Sequence, residues 1–146
     1  EGKVIGINTA IYSQTGGNDG IGFTIPINMA SDILDELKKD GKVTRGWLGV
    51  MVQKITTELS ETFKLPDTRG ALVNDVVPNG PADRSGLKRG DIIVKFNGKE
   101  ILSVENLPKQ VAAVEPGKSV KVELIRDGNK KLLDVTLDKM QEEKQA

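Results

Sequence analysis

Residues 79–98, Asn-Gly-Pro-Ala-Asp-Arg-Ser-Gly-Leu-Lys-Arg-Gly-Asp-Ile-Ile-Val-Lys-Phe-Asn-Gly, set a one-turn helix, its stop signal, a strand and a tight turn end to end without a spare residue. Pro81 suits the first helical position, where its missing N–H is not needed, and Gly86 followed by apolar Leu87 reads as a left-handed C-terminal cap with its hydrophobic contact. Ile92–Phe96 reads as a strand. Asn97-Gly98 then supplies the two positive-φ residues that a two-residue hairpin turn requires.

Toward the C-terminus a helix is expected over about 107–114. Pro108 is tolerated only in a first turn, which favours Asn106 over Ser103 as the cap, and Pro116-Gly117 ends the helix. Val120, Val122 and Leu124 alternate inward, Asp127-Gly128 turns the chain, and Leu133, Val135 and Leu137 return. Residues 138–146 are mostly charged and polar, so 139–146 is expected to be a disordered tail or linker. Toward the N-terminus, Gly70–Val77 is strand-like, and Thr57 is expected to cap a short helix bearing Leu59 and Phe63, closed by Leu65-Pro66-Asp67. Before it stands Gly46-Trp47-Leu48-Gly49-Val50-Met51-Val52, a glycine-relieved loop entering a strand.

A domain boundary is expected near residues 41–44. Ahead of it, residues 3–12 and 20–27 alternate like strands around a polar loop, and a helix follows, with Asn28 as its expected cap, Met29, Ile33 and Leu37 on one face and Gly41 as its stop. One hairpin and one helix make a marginal unit, so residues 1–40 are expected to need more sheet than this sequence supplies.

Composition narrows the function. Lys plus Arg and Asp plus Glu both total 21 in 146 residues, leaving no electrostatic footprint for nucleic acid or an anionic membrane. No apolar run reaches the roughly 18–20 residues needed to span a bilayer, and residue 1 opens inside a strand-like pattern, as an internal excerpt would. Cysteine is absent, which removes disulfides and thiolate metal sites and leaves the compartment open. Histidine is absent as well, so a Ser-His-Asp or Cys-His centre cannot be assembled from these residues. The six serines read as caps and loop residues, and no grouping of acids suggests a metal site. No cofactor is expected.

What remains is binding. Successive N–H groups around Gly46 and Gly49 suit a small anion nest without a cationic side chain, and the strand after them suits β-augmentation. Leu48, Val50 and Val52 share one strand face, while Leu107, Val111 and Val114 form the helix stripe; an apolar pocket between them competes with the plainer reading that these are core residues. Trp47 is read either as packing at the domain edge or as bordering the groove. Arg45 is read either as attracting a carboxylate or, more simply, as a solvated charge.

The 79–98 stretch resembles the Gly-Pro-Ala-x-x-Ala/Ser-Gly-Leu-x-x-Gly-Asp-x-Ile signature of PDZ domains in the form used by bacterial proteases. Gly16–Pro26 resembles the Gly-Gly-Asn-x-Gly-Ile-Gly-Phe-x-Ile-Pro run of the HtrA (Deg, protease Do-like) serine proteases, and Trp47-Leu48-Gly49-Val50 resembles their Tyr/Trp-Leu-Gly-Val/Ile carboxylate loop. The resemblance implies a mixed α+β fold. Residues 44–138 would form a PDZ domain, a small β-sandwich or barrel capped by two helices in the bacterial permuted form. Residues 1–41 would be a hairpin and helix from the C-terminal edge of a trypsin-like barrel, with 13–20 as a substrate-pocket loop. The family's nucleophilic serine, histidine and aspartate would lie upstream of Glu1.

By the same resemblance the peptide site comprises Trp47, Leu48, Gly49, Val50, Val52, Leu107 and Val111, with N–H donors on Leu48, Gly49 and Val50 and the pocket wall on Leu107 and Val111. The expected partners are unfolded or C-terminal peptides. The parent is expected to be an ATP-independent, extracytoplasmic or periplasmic endopeptidase of protein quality control, built from trimers or larger assemblies. Self-association through residues 1–27 is expected for this chain. The alternatives are a PDZ module of a non-protease secretion or scaffold protein, and an inactive protease homologue.

Overall fold

The computed structural model describes residues 2–13, 16–17 and 20–140. It divides into two compact units, with the division between Val43 and Thr44. Part of the 13–20 loop and all of residues 141–146 lie outside the described residues.

In the first unit β1 (Gly6–Tyr12) pairs antiparallel with β2 (Ile21–Pro26), with a register shift between Asn8 and Ala10. Helix α1 (Ile27–Asp40) follows without a gap, and Ala30 on it is buried. Gly41 ends α1 as expected, at φ +67° with its N–H on the Leu37 carbonyl. Asn28, however, is not the cap. It lies inside the helix, Pro26 stands at the N-cap position, and no side chain closes that end. The Pro26 ring already fixes an extended entry at φ −57°, ψ 140°, so the turn into the helix occurs before Asn28 is reached.

The second unit contains β3 (Gly46–Trp47), β4 (Val50–Gln53), α2 (Thr57–Thr62), β5 (Ala71–Val76), α3 (Pro81–Arg84), β6 (Ile92–Phe96), β7 (Lys99–Glu100), α4 (Asn106–Ala112), β8 (Ser119–Arg126), β9 (Asn129–Thr136) and β10 (Asp138–Lys139). Its main sheet is antiparallel in the order β4-β5-β6-β8-β9, with β7 also alongside β6. One sheet face supplies the main core of Val73, Ile93, Phe96, Val122, Leu124 and Val135, closed by Leu107 and Val111 from α4. The other face buries Leu72 and Ile92 with Ile55, against which Leu59 of α2 and Phe63 at its C-cap pack. Each fully buried side chain of this size contributes about 1.5–3 kcal/mol.

The 79–98 stretch folds as read. Pro81 opens α3, and Gly86 at φ +83° carries a Schellman closure: its N–H donates to Asp83 O at 3.0 Å, and the Leu87 N–H donates to Ala82 O at 2.9 Å. Ala82 and Leu87 are both buried in the main core, which completes the hydrophobic contact of the motif. Asn97-Gly98 and Asp127-Gly128 have paired positive φ values of 49°/78° and 51°/76°, the type I′ geometry that suits the strand twist.

Three local expectations are corrected. The cap of α2 is Thr56 rather than Thr57, with its hydroxyl oxygen accepting from the Leu59 N–H at 3.3 Å. Asn106 does not cap α4; its amide oxygen accepts from the Leu102 and Ser103 N–H groups at 3.1 and 3.0 Å, so it holds the preceding loop while the helical turn has already begun. Residues 139–140 are not part of a disordered tail. Asp138 and Lys139 pair with Trp47 and Gly46, and the Met140 N–H donates to Arg45 O at 2.9 Å, giving the backbone of 45–47 partners it would otherwise lack.

One buried pair was not anticipated. Asp91 is 1% exposed and receives Arg126 in fork geometry, Nε to Oδ1 and Nη2 to Oδ2, both at 2.6 Å. The Lys88 N–H also donates to Asp91 Oδ2, and Arg126 Nη2 donates to Gly86 O, both at 2.8 Å. Asp91 hydrogen bonding raises the Arg126 pKa above its ordinary value against the opposing effect of desolvation.

Candidate functional site

The loop Gly46–Gly49 is held by its carbonyls. The Ala82 N–H of α3 donates to Leu48 O at 3.0 Å, and the Val77 N–H donates to Gly49 O at 2.9 Å. Among the described residues the N–H groups of Leu48 and Gly49 have no hydrogen-bond partner. Both donors are thereby left available to an added acceptor. Gly49 sits at φ +77°, which allows successive N–H groups to converge.

Val50 adds a third donor. The ladder bond runs through the neighbouring Gly49–Val77 pair, so Val50 and Val76 form a non-hydrogen-bonded pair, and the Val50 N–H and C=O point to the outer edge of β4. That edge has no strand against it in the sheet of described residues. The three N–H groups therefore lead directly into an unpaired strand edge among the described residues.

The side chains divide differently from the sequence expectation. Leu48, Leu107 and Val111 are 3%, 2% and 7% exposed and belong to the main core, so the plainer core reading holds for them in this structure. Val50 and Val52 are half-buried against the same core and, with the half-buried Trp47, are the apolar members of the expected site with accessible surface to offer. Trp47 lies over small neighbours at the start of α3: a Cβ on Gly49 or Gly80 would stand 3.2 or 3.5 Å from its ring, and Pro81 lies on the same side of Gly49. Arg45 is exposed.

Helix α4 approaches this loop with its C-terminal end. A Cβ on Gly46 would stand 2.5 Å from Val114 O and 2.6 Å from Val111 O, so β3 passes the helix end at a distance only glycine permits. The opposite end of α4 begins at Glu105, whose carboxyl is held below the usual carboxylate range by the Ser103 hydroxyl and by its own backbone N–H, with smaller contributions from Lys54 and Lys109. Sequence reasoning missed Val77 and Ala82 as the groups that hold the Leu48 and Gly49 carbonyls. The Pro-Ala of the α3 turn was the available signal, since it places an N–H next to the loop.

The family model described as PDZ domain matches residues 46–137. Over 99% of its length the chain is 44% identical to a probable periplasmic serine endoprotease DegP-like from Ectopseudomonas mendocina (strain ymp), covering 31% of that protein. It is 46% identical over 95% of its length to the protein of the same description from Pseudomonas putida (strain W619), covering 29% of it. The chain thus spans under a third of the length of these curated relatives. Among solved structures, the HtrA-type protease AlgW with decapeptide matches at TM-score 0.84 and 39% identity, over 97% of this chain and 44% of that one. The serine endoprotease from Yersinia pestis matches at TM-score 0.73 and 33% identity, over 96% and 44%. Through residues 46–137 the chain belongs to the PDZ domain family, in the form carried by HtrA-type serine endoproteases.

Proposed function

We propose that this chain is the regulatory, peptide-binding region of an HtrA-type serine endopeptidase of protein quality control that works in the periplasm. Its second unit captures the C-terminal or extended apolar end of a polypeptide by β-augmentation. The observation that carries this reading is the junction of the unpartnered Leu48 and Gly49 N–H groups with the open edge of β4. A terminal carboxylate supplies the missing acceptor, the following peptide residues supply the missing strand, and Val50 and Val52 supply apolar contact. Leu107 and Val111 form the floor beneath. The relatives named periplasmic endoproteases and the AlgW structures described with a decapeptide and with a tripeptide support the same reading.

Catalysis belongs to the parent protein in this proposal. The histidine that a serine protease centre uses is absent from these 146 residues, and residues 1–41 form the C-terminal edge of the protease domain. The competing reading, a PDZ module of a non-protease, leaves unexplained why the similarity to endoproteases extends through the hairpin and α1.

Calorimetric titration tests the proposal. A peptide with an apolar final residue and free carboxylate is expected to bind at about micromolar Kd. Its C-terminal amide is expected to bind at least tenfold more weakly, because hydrogen bonds to a charged acceptor contribute about 1.5–3 kcal/mol. Equal affinities would refute carboxylate capture.

A second expectation concerns the first unit. Ile5, Ile11, Phe23 and Met29 are 85%, 61%, 56% and 65% exposed on a paired hairpin and its helix. Such apolar surface favours association, and in the parent the rest of the protease barrel covers it. Light scattering of the isolated chain is expected to show concentration-dependent dimers or larger species that vanish when residues 1–41 are deleted. A strictly monomeric full chain would count against this account.

A further inference from the structure

The main sheet has a second open edge. Strand β9 ends the order β4-β5-β6-β8-β9 opposite to β4 and pairs with β8 from Asn129 to Thr136 without a register shift. Its hydrogen bonding has a fixed phase. The two-residue turn at Asp127-Gly128 makes Arg126 and Asn129 the first hydrogen-bonded pair, and at the other end the Leu137 N–H donates to Lys118 O at 3.0 Å. The odd-numbered residues of β9 therefore bond to β8, while Lys130, Leu132, Asp134 and Thr136 turn their N–H and C=O groups outward. No backbone group meets those outward groups among the described residues. The same four side chains are exposed on the sheet face away from the main core, which receives Leu133 and Val135.

Exposed strand edges are ordinarily blunted by bulges, proline or charge. This edge has neither bulge nor proline, and its charges complement themselves, with Lys130 two residues before Leu132 and Asp134 two residues after it. Antiparallel pairing with β9 of a second copy, about a two-fold axis at Leu132, sets each Lys130 opposite Asp134 of the other copy and Leu132 opposite Leu132. Moving the axis by one residue sets Leu132 against a charge, and moving it by two sets Lys130 or Asp134 against itself. Lys130 makes no ion pair among the described residues, and Lys121 engages only Oδ1 of Asp134, so both groups can take a partner. We propose that β9 is a self-association edge, at which two copies of this chain pair antiparallel about Leu132 and join their main sheets into one. This pairing does not depend on peptide capture, and it leaves a β4 edge free at each far end of the joined sheet. The contact is far smaller than the roughly 1,200 Å² of a stable interface, so it forms between copies already gathered, as the apolar surface of the first unit gathers them.

The chain has no cysteine, so a single introduced thiol reports the pairing. Opposed residues of a hydrogen-bonded antiparallel pair stand about 5.5 Å apart at Cα, inside disulfide range. The full chain carrying Leu132→Cys, incubated with oxidised glutathione, is expected to form disulfide-linked dimers about tenfold faster than the chain carrying Leu102→Cys. Leu102 is the matched control, at 57% exposure against 53% for Leu132. Chains carrying Lys130→Cys and Asp134→Cys are expected to link to each other when mixed and not to themselves, because the two copies of position 130 stand at least roughly 13 Å apart. Adding Lys130→Asp to Leu132→Cys sets acid against acid and is expected to slow dimer formation about three- to tenfold, and adding Asp134→Lys as well exchanges the charges and is expected to restore it. If Leu132→Cys linked no faster than Leu102→Cys, or the mixed Lys130→Cys and Asp134→Cys chains linked no faster than either alone, the pairing would be overturned.

Discussion

Arg126→Ala is expected to lower the unfolding free energy of the second unit by about 3–5 kcal/mol, because it leaves the Asp91 carboxylate buried without its cation. Asp91 is 1% exposed, and the Lys88 N–H would be its one remaining partner among the hydrogen bonds it now makes. The loss is a large share of a domain's usual 5–15 kcal/mol. Trp47, the only tryptophan, reports on this unit, so urea denaturation followed by its fluorescence measures the effect. The double variant Asp91→Leu, Arg126→Met removes both charges together and is expected to fall within about 2 kcal/mol of the parent chain. An Arg126→Ala midpoint equivalent to less than 1 kcal/mol would show that the carboxylate finds water instead.

The same substitution reaches the groove by a traceable route. Arg126 holds Gly86 O, Gly86 closes α3, and the Ala82 N–H of α3 holds Leu48 O. Loosening that chain releases the Leu48 carbonyl and with it the hold on the loop that carries the Leu48 and Gly49 N–H groups.

What the sequence disclosed follows from the range of each interaction. Pro81, Gly86, Asn97-Gly98 and Asp127-Gly128 act through their own backbone angles, and all of them sit where local chemistry placed them. Caps were less legible. Thr56 and Thr57 offer the same hydroxyl one residue apart, and which one caps depends on where the strand before them releases the chain. Asn106 looked like a cap because its amide suits that role, yet the loop at Leu102 and Ser103 competes successfully for it. The β10 strand has two residues and no period to detect; it exists because Gly46 and Trp47 need partners from more than ninety positions away. Asp91 and Arg126 are likewise 35 residues apart, beyond any helical or strand periodicity.

The groove was legible as a face and not as a surface. Period-two alternation correctly set Val50 and Val52 against the core, but no periodicity distinguishes the half-buried Val50 from the buried Leu48, since exposure depends on how closely α4 is drawn in. Val111→Lys is consequently a poor probe of binding. At 7% exposure the new ammonium would enter the core of the unit, and loss of binding would report unfolding.

Gly46→Ala separates the two. Its methyl would stand 2.5 Å from Val114 O and 2.6 Å from Val111 O, both backbone atoms, so α4 and β3 must part by about 0.9 Å to restore an ordinary 3.4 Å contact. Neither side yields easily. Gly46 is paired to Lys139, and α4 carries Leu107 and Val111 into the core, so the cost is expected near the upper end of ordinary overpacking, about 3 kcal/mol. Enough of the molecule should remain folded at low temperature to titrate, and the free-carboxylate peptide is expected to bind at least fivefold more weakly, because the wall opposite β4 has moved. Gly128→Ala is the matched control: it strains a residue at φ +76° in open space at the β8–β9 turn, costs about 1–2 kcal/mol, and touches neither wall. Its peptide affinity is expected to equal that of the parent chain. If Gly46→Ala lost stability yet bound peptide as tightly as Gly128→Ala, the spacing between α4 and β3 would be a packing constraint alone, and recognition would rest on the strand edge and its N–H nest.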